Sequence, residues 1–191
     1  AASDVYKRQD VMQTLAMAGG SFEVAVTPAE APSSVGIDHC EFLVAGHAGV
    51  PRRSLSKVAS GGELARISLA IAVTDTMTAT VDTLIFDEID TGISGETANR
   101  VAKKMAVISK DHQVIAITHL PQIAAMADTH FSVEKGESGG RTFTRVIQLD
   151  REARKAELAR ITGGSQVTPA LLESAGELLD QADAYRKQHF V

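Results

Sequence analysis

Two short apolar stretches with an amphipathic segment between them constrain the fold of this chain more than any other feature. Residues 83–86 (TLIF) and 114–117 (VIAI) are continuous apolar runs, typical of strands that are buried on both faces of a sheet. The segment between them follows a potential capping residue, Ser94, and repeats apolar residues at helical spacing: Ala98, Val101, Ala102, Met105 and Ile108. A strand, a helix and a second strand in this order predict a βαβ unit with a parallel sheet.

The sequence before this unit predicts a helix end, two strands and a long helix. Residues 10–17 have the apolar spacing of the last turns of a helix, which Gly19-Gly20 would end. Residues 22–26 alternate between apolar and polar side chains and predict a strand, and residues 40–45 predict a second one. The segment 27–36 is rich in Pro, Ala and Ser and is expected to be a loop. A helix with apolar groups on all sides is expected from the SGGE stretch at 60–63 to about Ala79.

The sequence after the βαβ unit predicts further helices and strands. In chain order we expect a short helix at 121–127, strands at 129–134 and 142–149 joined by a loop at 135–141, and helices at 152–161 and from Pro169 onward. Gly163-Gly164 would close the first of the two long helices. Thr168 would cap the second, with Pro169 at its first position. The chain is therefore expected to be α/β.

Composition and charge exclude several classes of protein. The 191 residues are 44% hydrophobic, which is enough to bury a core. A net charge of −5 argues against sequence-independent DNA binding through a basic face of this chain. Cys40 is the only cysteine, which excludes an internal disulfide and favours a reducing compartment; its side chain is expected to be buried. No apolar run reaches the length of a membrane span, so we expect a cytosolic protein with no membrane partner.

The stretch Ser60-Gly61-Gly62-Glu63 lies directly before the long apolar helix and can be interpreted in two ways. Ser60 and Glu63 have the spacing of a capping box, in which each side chain satisfies a backbone donor at a helix start. The two glycines add nothing to a cap, since each costs up to about 1 kcal/mol against Ala inside a helix. They are favoured where another group approaches the backbone closely, and a helix N-terminus attracts phosphate. The local sequence is compatible with both interpretations.

Polar residues follow each of the two apolar strands. Asp87 and Glu88 come after the first strand, and Thr118 and His119 come after the second. Ligands bind at the carboxyl ends of the strands in open α/β sheets. An Asp that holds Mg²⁺ through water, beside a Glu that polarises an attacking water, suits phosphoryl transfer. Taken singly, however, an Asp-Glu pair is often a turn signal, and a lone His is more often structural than catalytic.

Three strings in this order resemble the C-terminal half of an ABC-type ATPase head, which has a P-loop NTPase fold. The strings are VASGGELARISLAI, FDEIDTGISG and ITHLPQIAAMAD. From about residue 10 to the end, the chain is similar to the RecN family, bacterial SMC-like proteins that act in recombinational repair of DNA double-strand breaks. Transporters of the superfamily typically have LSGGQ and LDEPTSALD at these places. The resemblance implies the C-terminal lobe of such a head, a mainly parallel sheet flanked by helices.

The resemblance implies that part of the site lies between two subunits. Ser60, Gly61, Gly62 and Glu63 would form the signature motif. Ser60 and Gly62 would contact the γ-phosphate of ATP held by the second head of a homodimer. Asp90, in the string DTGISG that resembles the D-loop, would help to order the dimer interface.

The resemblance also implies the residues that act on ATP within one head. Asp87 would bind Mg²⁺ through water, and Glu88, at the end of the Walker B strand, would be the catalytic carboxylate. His119 would be the switch histidine that contacts the γ-phosphate. ATP and Mg²⁺ are therefore the expected ligands, and DNA is an expected partner of the full-length protein near the nucleoid.

One expected motif does not occur in the chain. No G-x-x-x-x-G-K-[ST] phosphate loop (Walker A) is present in the 191 residues, so we expect the fragment to be inactive alone. In the RecN family that loop lies near the start, separated from this part by a long coiled-coil arm. Residues 1–18 would then comprise a non-native remnant over 1–9 and the end of the arm helix. Residues 19–191 would be the C-terminal half of the head. The head of another SMC-like or ABC ATPase, and a non-catalytic dimerisation module, are the alternatives.

Overall fold

The computed structural model describes residues 2–34, 36–58, 60–74, 81–138 and 140–190. The chain divides into two compact units, Ala1–Ile117 and Thr118–Val191. It is α/β, as predicted. Parallel pairing is found in one two-stranded sheet, whereas the other two sheets of the described residues are antiparallel, so the expectation of a mainly parallel sheet holds for that pair alone.

The first unit begins with a helix and an antiparallel sheet. Helix α1 spans Ala2–Thr14, so residues 2–9 are helical and the predicted helix end comes three residues early. Strands β1 (Ser21–Ser33), β2 (Gly36–Ala45) and β3 (Arg53–Ser54) pair in the order β1-β2-β3. The loop predicted over 27–36 was wrong, since both strands continue into it. Pro28 is accommodated because β1 is an edge strand and its register shifts between Pro28 and Ser33.

The prediction that Cys40 is buried was also wrong. Cys40 is exposed and pairs across the hairpin with Val26, which is exposed as well. On the same face, nearer the strand ends that join the body of the unit, Phe22 and Val44 are buried. The apolar face of the hairpin therefore extends beyond the core that covers its base, and Cys40 lies on the uncovered part.

A second helix leads from the hairpin into the βαβ unit. After a short 3₁₀ turn at Leu55–Lys57, helix α2 spans Gly61–Thr74; its predicted continuation to Ala79 lies outside the described residues. Ile67, Leu69 and Ala70 are buried, but Leu64 is exposed. The helix is therefore buried along one side and not all round, as had been expected.

The predicted βαβ unit is confirmed. Strands β4 (Thr83–Phe86) and β5 (Gln113–Ala116) are parallel, and helix α3 (Gly95–Ile108) connects them. All five apolar positions predicted for the buried face of α3 are buried. Ser94 is the N-cap residue of α3, but its side chain makes no capping hydrogen bond.

One face of this parallel sheet is open, which contradicts the prediction of strands buried on both faces. Phe86 is buried, whereas Ile85 is 67% exposed. Ile115 lies beside Ile85 in the register and is also exposed, as is Ile117, which follows the strand. Side chains alternate between the two faces of a strand. The described helices therefore cover one face of the sheet and leave the other uncovered.

The second unit is a helical core with a β-hairpin. Its elements are α4 (Pro121–Met126), β6 (His130–Ser138), β7 (Arg141–Leu149), α5 (Arg151–Gly163) and α6 (Pro169–His189). All five were predicted, but the loop expected over 135–141 is shorter because the strands extend into it. The core of this unit is formed by Ala124, Ala125, Leu158, Ala159, Ala175, Leu179 and Ala182. Across the described part of the chain, no helix combines the length and the apolar character needed to cross a membrane.

Candidate functional site

The start of α2 makes half of the predicted capping box. The Ser60 hydroxyl accepts a hydrogen bond from the Glu63 N–H at 3.3 Å. The Ser60 carbonyl accepts the first bond of the helix, from the Leu64 N–H at 3.0 Å. The Glu63 carboxylate lies against Gly46, where an added Cβ would come within 1.7 Å of Glu63 Oε1. Ser60 is therefore a true N-cap, and Glu63 contacts a segment from the end of β2.

The two glycines of α2 lie against the turn that follows β4. A Cβ added at Gly61 would lie 2.5 Å from Glu88 Oε2. A Cβ added at Gly62 would lie 2.9 Å from the Glu88 carbonyl oxygen and 2.9 Å from Thr91 Cβ. Real Cβ atoms do not approach other heavy atoms so closely. The close approach that the glycines predict is therefore made within the same unit, by residues about 26 positions further along the chain.

The turn at 87–91 is tightly wound. Glu88 has a φ of +57°, the left-handed conformation that costs a residue with a side chain about 1–2 kcal/mol. The Thr91 N–H donates to the Glu88 carbonyl at 3.0 Å, which closes the turn. Ile89 and Asp90 are buried, with Asp90 only 2% exposed, whereas Asp87 and Glu88 are exposed. The two carboxylates expected to act on ATP and Mg²⁺ are thus accessible, while the expected D-loop carboxylate is enclosed.

Arg66 connects α2 to this turn, and the sequence interpretation missed it. Its guanidinium donates to the Thr91 carbonyl at 2.7 Å and to the Ile89 carbonyl at 3.4 Å. Burial lowers the pKa of the Arg66 guanidinium from its usual value, and the nearby negative charge of Glu63 acts in the opposite direction. A signal was available in the sequence, because Arg66 is a charged residue within an otherwise largely apolar helix.

His119 lies in the second unit, in the segment between β5 and α4. It is exposed. The hydroxyl of the preceding residue, Thr118, accepts a hydrogen bond from the Leu120 N–H at 3.1 Å, and Leu120 is the N-cap of α4. The structure therefore brings Ser60, Gly61, Gly62, Asp87 and Glu88 into one region of the first unit. The predicted contact of His119 with the γ-phosphate stays a prediction.

Helix α4, which follows His119, is held at its C-terminal end by two arginines. Arg154 donates to the carbonyls of Ala124, Ala125 and Ala127, at 3.4, 3.2 and 2.7 Å. Arg186 donates to the Met126 carbonyl at 2.6 Å. Helix ends leave such carbonyls without intrahelical partners, and cations there are favourable. The segment that carries His119 is thus followed by a short helix with a well-satisfied end.

The side chains near the end of β4 would suit a magnesium ion whose other ligands are waters and phosphate oxygens. Among the described residues, no group of three or more His, Cys, Asp or Glu side chains could hold a metal ion. Mg²⁺ usually keeps several waters and binds through one or two carboxylates together with phosphate oxygens. The carboxylate of Asp87, which follows β4, is exposed and is the kind of ligand that such a site would use.

Sequence comparison relates the chain to DNA repair proteins. A scan against protein-family models finds no match. The chain is 41% identical over 174 residues to the DNA repair protein RecN of Xylella fastidiosa, covering 90% of this chain and 31% of that protein. It is 49% identical over 148 residues to RecN of Bacillus subtilis, covering 78% and 26%. The chain thus spans about 30% of the length of these relatives.

Structural comparison establishes the fold. The chain is similar to an Smc head domain with a coiled coil from Pyrococcus yayanosii, with a TM-score of 0.60 and 24% identity, covering 84% of this chain and 29% of that one. It is also similar to a chain from work on ATP-driven dimerization and DNA stimulated activation of SMC ATPases, with a TM-score of 0.52 and 25% identity, covering 86% and 94%. The chain has the fold of an SMC-type ATPase head, and the fold predicted from its motifs is confirmed.

Proposed function

We propose, because the chain is related to the RecN proteins and has the fold of an SMC head, that it is the part of an ATPase head that carries the signature motif and the Walker B strand. The longer protein would hydrolyse ATP in the recombinational repair of DNA double-strand breaks, in the bacterial cytoplasm at the nucleoid. ATP, DNA and a second head would be its partners. The roles proposed for its residues are those of the motifs that they resemble.

Glu88 and Asp87 divide the chemistry between them. The exposed Glu88 carboxylate would polarise the attacking water, and Asp87 would hold Mg²⁺ through water, which supplies charge neutralisation when bound. His119 would contact the γ-phosphate, and Asp90 would order the interface between heads. Ser60 and Gly62 would offer the N-terminus of α2 to the γ-phosphate of ATP on the second head, because free N–H groups at a helix start attract phosphate.

The observation that carries this proposal is the packing of the SGGE helix start against the turn at 87–91. Gly62 and the Glu88 carbonyl are so close that a Cβ would not fit between them. The turn that carries the expected catalytic carboxylate is therefore packed directly on a helix start. That helix start would contact the nucleotide of a partner. Contact of a second head with this helix start would therefore affect the position of Glu88 through that packing.

The open face of the βαβ sheet supports the proposal that this chain is part of a larger head. Parallel sheets are found almost only with both faces covered. Ile85, Ile115 and Ile117 are exposed on the uncovered side. A further layer that includes the Walker A loop would cover them, and the chain spans about 30% of the length of its relatives. The 191-residue chain alone would then bind Mg-ATP weakly and hydrolyse it negligibly.

Mixing two inactive variants tests the proposed arrangement in trans. One full-length variant carries Ser60→Arg, which places a bulky side chain at the phosphate position; the other lacks the Walker A lysine. Each homodimer would have two inactive sites. In mixed dimers both lesions fall on one composite site, so about half of the mixed dimers' normal activity should return if the intact site acts alone.

Thr168→Arg is the matched control for the loss of a cap. Thr168 caps α6 as Ser60 caps α2, with the same 3.3 Å bond, but it is not part of the proposed site. Thr168→Arg should lower stability and leave ATP hydrolysis per folded molecule unchanged. No recovery of activity with Ser60→Arg, together with loss of stability equal to that of Thr168→Arg, would contradict contact across the interface.

A non-catalytic dimerisation module is the second candidate, and one observation favours it. Both glycines are explained by packing within the unit, so they do not by themselves require a nucleotide. Hydrolysis by the full-length protein that is lost in Glu88→Gln would exclude this candidate, since a module without catalysis has no use for that carboxylate.

A further inference from the structure

Arg66 is a buried cation inside α2, and its burial requires an explanation. The residue is 8% exposed and has Ile67, Leu69 and Ala70 as buried neighbours on the same helix. Removing a charged group from water costs several kcal/mol unless hydrogen bonds and opposite charge compensate for it. A methionine or leucine at this position would fill the space without that cost. The guanidinium therefore has a role that an apolar side chain could not perform.

The groups that satisfy Arg66 are backbone carbonyls of the turn at 87–91. One terminal nitrogen donates to the carbonyl of Thr91 and to that of Ile89. Hydrogen bonds from a charged donor are roughly twice as strong as neutral ones. The Nε atom of Arg66 is buried with no hydrogen-bond partner among the described residues. The guanidinium thus donates only to the backbone that follows Glu88 among the described residues, and these hydrogen bonds do not fully compensate for the cost of its burial.

Arg66 and Gly62 hold the same turn at two levels of α2. They are four residues apart, so both lie on one face of the helix. Gly62 contacts the Glu88 carbonyl and Thr91, and Arg66 binds the carbonyls of Ile89 and Thr91. Glu88, whose carbonyl faces Gly62 at the start of this turn, adopts a left-handed conformation. Such a conformation persists only where the surroundings fix it.

We propose that Arg66 is a positioning residue that holds the turn at 87–91 on α2 and thereby sets the position of the Glu88 carboxylate for ATP hydrolysis. This inference rests on the proposed function. Arg66 acts through the backbone of Ile89 and Thr91 and not through contact with ATP. Its substitution should therefore affect the chemical step and leave ATP binding unchanged.

The test uses Arg66→Met, Arg66→Lys and Glu88→Gln in the full-length protein, with Arg100→Met as the matched control. Arg100 is an exposed arginine on α3, and its guanidinium donates to the exposed Glu96 carboxylate at 3.4 Å. Steady-state hydrolysis is measured over a range of ATP concentrations, at a temperature where thermal melts show every variant folded. Small misplacements of reacting groups cost up to about 100-fold in rate.

Arg66→Met should lower kcat about 10- to 100-fold with the KM for ATP unchanged, and Arg100→Met should change neither. Arg66→Lys keeps the charge but lacks the planar fork of the guanidinium, so its kcat should lie between those of Arg66→Met and the native protein. A purely structural role would instead leave kcat native in the folded variants, and activity would fall only at higher temperature, in proportion to the unfolded fraction. If Arg66→Met does not fold, a native kcat in folded Arg66→Lys overturns the inference.

The Glu88→Gln variant separates failure of this inference from failure of the proposed function. Hydrolysis that Glu88→Gln does not reduce would overturn both, since there would be no catalytic Glu88 to position. Hydrolysis that depends on Glu88 while Arg66→Met retains native kcat would overturn the role of Arg66 alone.

Discussion

Helices α2 and α6 both begin with a hydroxyl N-cap, but they differ in the residues of the first turn and in what packs against it. The Ser60 hydroxyl accepts a hydrogen bond from the Glu63 N–H, and the Thr168 hydroxyl accepts one from the Leu171 N–H, both at 3.3 Å. The first position of α6 is Pro169, which suits a free helix start. The first two positions of α2 are glycines, which destabilise a helix start against which nothing is packed.

The difference between the two starts lies in what packs against them. Positions 61 and 62 are glycines because the Glu88 side chain, the Glu88 carbonyl and Thr91 approach the helix backbone. Ala170, at the second position of α6, is exposed. A residue with a positive φ lies near each helix start. Before α6 it is Gly164, which adopts a positive φ without a penalty, and beside α2 it is Glu88. The comparison shows that a cap is a local property, whereas the glycines and the strained glutamate depend on contacts between distant parts of the chain.

The largest expected effect is at Glu88. Glu88→Gln in the full-length protein should keep ATP binding and lower hydrolysis by about 10²- to 10⁴-fold, because the amide cannot act as a general base. Asp87→Asn should instead weaken nucleotide affinity and its dependence on Mg²⁺. Binding and single-turnover assays across Mg²⁺ concentrations measure both. Indistinguishable effects on binding would contradict the division of roles between the two carboxylates.

The next largest effect is on stability, and it tests whether replacing a glycine of α2 by alanine destabilises or stabilises the chain. Gly62→Ala should destabilise the chain by about 1–3 kcal/mol, because the new Cβ meets backbone atoms of the turn. In a free helix start the same change would stabilise by up to about 1 kcal/mol. Gly61→Ala should cost less, since its Cβ meets only the flexible end of the Glu88 side chain. Chemical denaturation measures both, and also the control Ala170→Gly on α6, which should cost about 1 kcal/mol or less.

A smaller effect tests the common part of the two helix starts. Ser60→Ala and Thr168→Ala should each lower the free energy of unfolding by about 0.5–2 kcal/mol, and by similar amounts, because the two capping bonds are alike. Urea denaturation of each variant provides the values. A loss at one cap and none at the other would show that the two starts differ locally as well.

The smallest effect concerns the conformation of Glu88. Asn adopts the left-handed region more readily than Gln does. Glu88→Asn should therefore be more stable than Glu88→Gln, by up to about 1 kcal/mol, although both remove the carboxylate. Equal melting temperatures of the two variants would indicate that the turn relaxes once the carboxylate is absent. At Gly164, where φ is +67° and ψ is −133°, substitution by Asn or by Gln should destabilise the chain, because that region is open essentially to glycine alone.

The sequence by itself determined the elements whose signals are local. The caps at Ser60 and Thr168 join atoms three residues apart, so their residue types and spacing were enough to predict them. The βαβ unit was predictable because helical and strand periodicities are local, and the helices at 151–163 and from Pro169 were predictable for the same reason. The motif strings then indicated the fold, which the structural similarity to SMC heads confirmed.

Only the tertiary structure decided what lies against these elements. Burial depends on which layers cover a face, and so Cys40 and Ile85 are exposed although their surroundings in the sequence are apolar. The neighbour of the glycines is a turn about 26 residues away, and the partners of Arg66 are backbone carbonyls, which have no residue type to recognise in a sequence. The glycines predicted that another group lies close to the helix backbone, and the tertiary structure shows that this group is Glu88 with Thr91.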